Sequence, residues 1–118
     1  MIPFELQQDL ANDEYYRKCA FTGTMWGIQW HHAFTFGGKD IQEKWAIVPI
    51  SWRIHDQCTP NKPRYTKEIA ERVELIALNR AKDGELKKYS KVKDLIAYRD
   101  QLREKYESKM QPLSKRSF

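Results

Sequence analysis

The stretch IQWHHAFTFGGKDIQEKWAIVPISWRIH, Ile28 to His55, decides how this chain folds. Ile28 to Trp30 set one polar residue between a β-branched and an aromatic one, which predicts a strand. Gly37 and Gly38 predict a glycine-rich loop after it. The apolar run Ala46-Ile47-Val48 predicts a second strand, closed or bent by Pro49. The two segments then pair as a hairpin with a long connection. Beyond Pro49, Ile50 and Ile54 lie four apart, which predicts a short helix ended by Thr59-Pro60.

Working outward, residues 4–20 predict one or two short helices. Phe4, Leu6 and Leu10 have weak helical spacing, and Asn12-Asp13 marks a break. On the other side, TPNKPRY is a linker with two prolines. Thr66 is placed to cap a helix running to about Arg80, with Glu68 in its first turn and Ile69, Val73, Ile76 and Ala77 as its buried stripe. Gly84 interrupts the pattern. Ser90 is the expected cap of a further helix to about Glu107, with Val92, Leu95, Ile96, Leu102 and Tyr106 on its apolar face. The last residues, QPLSKRSF, read as a frayed end. The expected fold class is α+β: a hairpin–helix core with an N-terminal helical segment and two C-terminal helices. One domain is expected over residues 1–118, its core at about 19–59 and its helical extension at about 66–108.

Hydrophobic residues make up 41% of the 118 and aromatic residues 13%, enough for a packed core. No apolar run approaches the ~20 residues a membrane span needs, so no membrane partner is expected. MIPFELQQDL lacks a basic segment followed by an apolar one, so no secretory signal is expected and the expected location is the cytoplasm. Cys19 and Cys58 are too few for a disulfide scaffold. Charge is unevenly spread. Residues 1–61 carry 5 Lys/Arg against 7 Asp/Glu, while residues 62–118 carry 16 against 9. A polyanion would be drawn to the second half.

All three histidines, His31, His32 and His55, fall within 25 residues on the hairpin–helix unit. The segments WHHAF and WAIVPISWRIH resemble the HNH endonuclease family and its ββα-metal motif, over roughly Cys19 to Thr59. HHAFTFGGKDIQEKWAIVPI and LNRAKDGELKKYSK also look like small phage-encoded members, which extends the similarity into the C-terminal helices. The resemblance implies a DNA endonuclease that uses one divalent metal ion. Mg²⁺ or Mn²⁺ is favoured and Zn²⁺ or Ni²⁺ is an alternative. His31 and His55 are then metal ligands and His32 the general base.

The chemistry asks for that division. A phosphodiester needs its anionic oxygens and leaving alkoxide neutralised by a cation, and a separate base to deprotonate water. One imidazole cannot do both. Adjacent strand residues point to opposite faces, so the pair shares a site only at a strand end.

Three departures from the family pattern stand out. Its central Asn is Ala46 here. A further helix histidine found in some members is Thr59. The paired C-x-x-C knuckles of many relatives are missing, leaving Cys19 alone. Cys58 is expected to be a buried thiol rather than a ligand.

Lys39, Lys44 and Arg53 lie near the histidines in sequence and are candidate phosphate contacts. The basic residues of the C-terminal helices, such as Arg80 and Lys87, would hold DNA through its backbone. The four tryptophans are expected in the core. The alternative function is a degenerate module of the same shape that binds nucleic acid or a protein without cutting. A third is a histidine-held structural zinc.

Overall fold

The computed structural model describes residues 2–91 and 93–107. The expectations for Val92 and for QPLSKRSF fall outside them. Among the described residues the order is α1 (Phe4–Ala11), β1 (Ile28–His32), β2 (Thr35–Phe36), β3 (Lys39–Asp40), β4 (Ile47–Ser51), α2 (Trp52–Cys58), α3 (Lys67–Arg80), α4 (Asp83–Lys87) and α5 (Leu95–Leu102). A 3-10 turn at Glu14–Arg17 follows α1, and the chain breaks at Asn12 as its sequence predicts. The fold is α+β.

β1 and β4 form an antiparallel ribbon in which Ile28 faces Ser51, Trp30 faces Pro49 and His32 faces Ile47. Both strands outrun their expected lengths: β1 continues to His32, and β4 passes through Pro49. The register explains why a proline is tolerated. Ala33 N–H donates to Ala46 O at 2.9 Å and Trp52 N–H to Gly27 O at 3.1 Å, one at each end. Alternation from those bonds puts Trp30 and Pro49 at a non-bonded pair, where the missing N–H points away from β1. The Pro49 carbonyl, facing outward, accepts from Ala20 N–H at 2.8 Å.

Residues opposite each other share a face, so the ribbon has two distinct sides. Trp30 and Ile47 lie on one, under the N-terminal segment, where Leu10, Tyr16 and Ile47 are buried together. Trp30 Nε1 donates to Tyr16 O at 3.1 Å, and the Tyr16 hydroxyl donates to Lys44 O at 2.5 Å. Val48 and Ile50 lie on the other side, in a larger core with Ile54, Val73, Ala77, Leu78, Leu86, Leu95 and Leu102.

Ser51 ends β4 and caps α2, its hydroxyl accepting from Ile54 N–H at 3.4 Å. Thr66 caps α3 the same way, through Ile69 N–H at 3.2 Å. On α3, Val73, Leu75, Ala77 and Leu78 are buried, while Ile69 and Ile76 are half-buried.

Two expectations need correction. Gly84 does not break the chain, because it sits inside α4, whose start is closed by Lys82 N–H donating to Glu85 Oε1 at 2.9 Å. Ser90 does not cap α5. That role falls to Asp94, whose Oδ1 accepts from Ala97 N–H at 3.0 Å directly before the buried Leu95. Asp is as good a cap as Ser. A wide helical turn at Arg103–Glu107 buries Tyr106 and extends the last helix. Arg99 ties α5 to α4 through Asp83 at 2.7 Å.

Candidate functional site

β1 delivers the histidine pair to the end of the ribbon, and α2 folds back across the side that carries His31. The His31 and His55 rings meet edge to face, with centroids 5.2 Å apart and planes at 84°. Cys58, one turn further along α2, brings its Sγ to 3.9 Å from His31 Nε2. Burial pushes His31 down to about 4, helped by the charges of His55 and His32 and opposed by Asp40. His31 is therefore neutral at physiological pH, with a lone pair available to a metal ion. The Thr59 hydroxyl donates to His55 O at 2.6 Å, and its oxygen lies 3.5 Å from His55 Nδ1. Burial pushes the Cys58 thiol up to about 11, which keeps it protonated.

His32 has different company. Its Nε2 is 2.9 Å from Gln42 Oε1, and its Nδ1 is 3.6 Å from Asp40 Oδ2. Neither partner was singled out in the sequence, yet a signal for Asp40 was present. Gly37 and Gly38, with φ of 59° and 81°, make the two-residue turn of a β2–β3 hairpin that pairs Thr35 with Asp40. A Gly-Gly pair with both φ positive is a primed turn, whose twist suits a tight hairpin. The segment is thus a folded arm that returns a carboxylate to His32, where the sequence reading predicted a plain loop.

His31, His32 and Cys58 border one cavity of about 540 Å³ that runs toward α3 and α5. Glu74 lines its far wall, accepting from the Tyr98 hydroxyl at 2.6 Å. Burial raises the Glu74 carboxyl above its ordinary value. Lys67 and Lys93 add positive charge to the same walls.

Ala46, where the resemblance expects Asn, is fully buried in the core, and its carbonyl accepts from Ala33 N–H. The loop ahead of β4 is braced instead from a distance. Tyr16 donates to Lys44 O on one side, and the Tyr89 hydroxyl donates to Glu43 Oε2 on the other.

The three candidate cations separate. Arg53 is exposed on α2, its guanidinium 5.5 Å from the centre of the Trp52 ring. Lys39 is exposed on the β2–β3 arm beside Asp40. Lys44 is held by Asp13 at 2.8 Å and lies over the Tyr16 ring, against the N-terminal segment. The expectation that all four tryptophans are core is corrected. Trp45 is buried, but Trp26 is 84% exposed and Trp52 46%.

Among the described residues no three His, Cys, Asp or Glu side chains are grouped to hold a metal ion. The donor set on offer is two imidazoles, His31 and His55. Imidazole donors suit Ni²⁺ and Zn²⁺, while Mn²⁺ or Mg²⁺, which prefer oxygen ligands, would take most of theirs from water and substrate. Comparison with family models, curated proteins and solved structures returns no match for this chain. No helix among the described residues is long and apolar enough to cross a membrane.

Proposed function

We propose that this protein is a metal-dependent, HNH-type endonuclease that hydrolyses DNA phosphodiester bonds. The reading is carried by one observation: His31 and His55 meet at 5.2 Å, while His32 opens on the same cavity as His31 with a carboxylate at its Nδ1. A divalent ion held by His31 and His55 would supply positive charge to the phosphoryl oxygens and the leaving alkoxide.

The protein's own groups do the rest. At rest His32 Nε2 donates its proton to Gln42 Oε1. When the attacking water displaces Gln42, Asp40 holds the imidazole proton on Nδ1 and Nε2 presents its lone pair. Nε2 takes the water's proton as its oxygen bonds to phosphorus, the P–O bond to one sugar breaks, and the departing alkoxide takes a proton from solvent. Arg53 and Lys39 hold phosphates beside the scissile one, a role Lys44 would fill only by leaving Asp13. In this reading the protein works in the cytoplasm, and its unpaired cysteines suit a reducing compartment.

A plasmid-nicking assay with Mg²⁺, Mn²⁺, Ni²⁺ and Zn²⁺ tests it. The parent nicks with at least one metal. His32→Ala loses at least ~100-fold, the usual contribution of a positioned base. Asp40→Asn, which spares the base and removes the negative charge beside its Nδ1, loses about tenfold, as outer-shell partners of histidine do. No nicking with any metal, or full activity in His32→Ala, overturns the proposal. The second reading, a binding module without catalysis, draws support from Gln42 on His32 and from the lack of a third grouped ligand among the described residues. DNA binding that persists in a parent unable to nick is its expected signature.

A further inference from the structure

Three large apolar side chains are left in solvent around the start of the hairpin–helix unit: Met25, 63% exposed, Trp26, 84%, and Trp52, 46%. They belong to one place. Trp52 N–H donates to Gly27 O at 3.1 Å, and a Cβ on Gly27 would lie 2.7 Å from Trp52 Cδ1, so the indole rests on the residue next to Trp26. The backbone beneath is fixed. Cys19 N–H donates to Thr24 O at 2.8 Å, and Trp26 N–H donates to Thr24 Oγ1 at 3.3 Å. The side chains are therefore held outward on a braced turn.

We infer that Met25, Trp26 and Trp52 form a stacking wedge for unpaired or splayed nucleobases next to the cleavage site. The inference rests on the nucleic-acid reading above and names the substrate form it favours. Trp52 rests at Gly27 and His55 at His31, four residues apart along the strand, roughly 13 Å at ~3.3 Å per residue. A phosphate at the histidines would place a base a few nucleotides away at Trp52. The Arg53 guanidinium lies 5.5 Å from the centre of the Trp52 ring, which sets a cation beside the patch for the phosphates of a bound strand. Aromatic rings stack on any base, and Met serves as a wedge between base steps. Three side chains fall well short of the ~800 Å² per partner of a stable protein interface, so a nucleic-acid strand suits them better than a second protein. Unstacking costs least at mismatches and single-stranded stretches. Such substrates are bound and cut in preference to a perfect duplex.

The probe is a fluorescein-labelled single strand carrying 2-aminopurine, titrated with full-length protein in EDTA so that binding is read apart from cleavage. The parent binds and shifts the 2-aminopurine emission. Trp26→Ala and Trp52→Ala each bind about tenfold more weakly, Trp26→Phe binds within about twofold of the parent, and Phe4→Ala, an exposed apolar change on α1, binds like the parent. On a strand with abasic sites the gap between parent and Trp26→Ala closes. Parent-like binding by both alanine variants overturns the wedge, as does a parent dimer that Trp26→Ala dissociates in sedimentation. The two readings fail separately. Parent-like binding in Trp26→Ala with His32-dependent nicking removes the wedge alone. Trp26-dependent binding without nicking removes the nuclease alone. A parent that binds no strand removes the wedge.

Discussion

The two sides of the β1–β4 ribbon use the same strands for different ends. On one side Trp30 and Ile47 are sealed beneath Leu10 and Tyr16, and Ile47 is fully buried. On the other, His31 stands across from Val48 and meets His55 and Cys58 of α2. Alternation along β1 decides which residue serves which purpose. It also splits the histidine pair, giving His31 the helix as neighbour and His32 the returning arm. Adjacent identical side chains thereby acquire different proton chemistry: a dry neutral ring beside a ring with a carboxylate.

The sealed part of the Trp30 and Ile47 side is expected to carry stability and no metal ligand, although His32 pairs with Ile47 at its end, and Ile47→Ala tests that with the largest effect. Removing a fully buried isoleucine side chain costs about 4 kcal/mol, read as a lower urea midpoint. Mn²⁺ binding by the folded fraction stays as in the parent. A cost under ~1 kcal/mol, or loss of metal binding by molecules that remain folded, would erase the distinction between the sides.

The opposite side is expected to depend on pH. His31 falls from its ordinary 6.5 to about 4 on folding. Between those values the unfolded chain binds more protons than the native one. Stability from this group is therefore full above 6.5 and falls as pH drops toward 4, by at most about 3 kcal/mol. Urea melts in EDTA at pH 7, 5.5 and 4 read the slope. His31→Phe, which keeps the ring and removes the proton site, flattens this part of it. An unchanged slope would mean that His31 is wet in solution.

The same division separates what the sequence disclosed from what it hid. The ribbon, the helix behind it and the cap at Thr66 rest on signals a few residues long, and each was legible; Ser51 caps α2 in the same way without having been among the expectations. The N-terminal break at Asn12-Asp13 was equally local. The β2–β3 arm was within reach, since Gly37-Gly38 encodes its turn, but its product is the placement of Asp40 on His32, a tertiary event. The braces from Tyr16 to Lys44 and from Tyr89 to Glu43 span 28 and 46 residues. No local pattern announces such bonds. Helix α5 was misplaced because Ser90 and Asp94 are both competent caps, and burial of Leu95 decided between them. Tryptophan is large and apolar, which argues for the core, and only the turn before β1 and the start of α2 leave Trp26 and Trp52 outside. Bringing His31 to His55 was an expectation of the family resemblance, because spacing alone does not fix a distance between a strand and a helix.

The smallest expected effect joins stability to the site. Ser51 is at once the last residue of β4 and the cap of α2, only 5% exposed. Ser51→Ala keeps the β1 pairing, which runs through backbone, but leaves Ile54 N–H without its acceptor. Thr66→Ala does the same to Ile69 N–H on α3. Each costs about 1 kcal/mol in urea melts, the usual worth of such a cap. They differ in what they loosen. The first turn of α2 sets the angle at which His55 meets His31, whereas α3 carries neither ring. Mn²⁺ affinity measured by calorimetry therefore drops in Ser51→Ala and holds in Thr66→Ala. Equal affinities in the two variants would show that His55 is positioned by packing of α2 against the core, and that the cap adds stability alone.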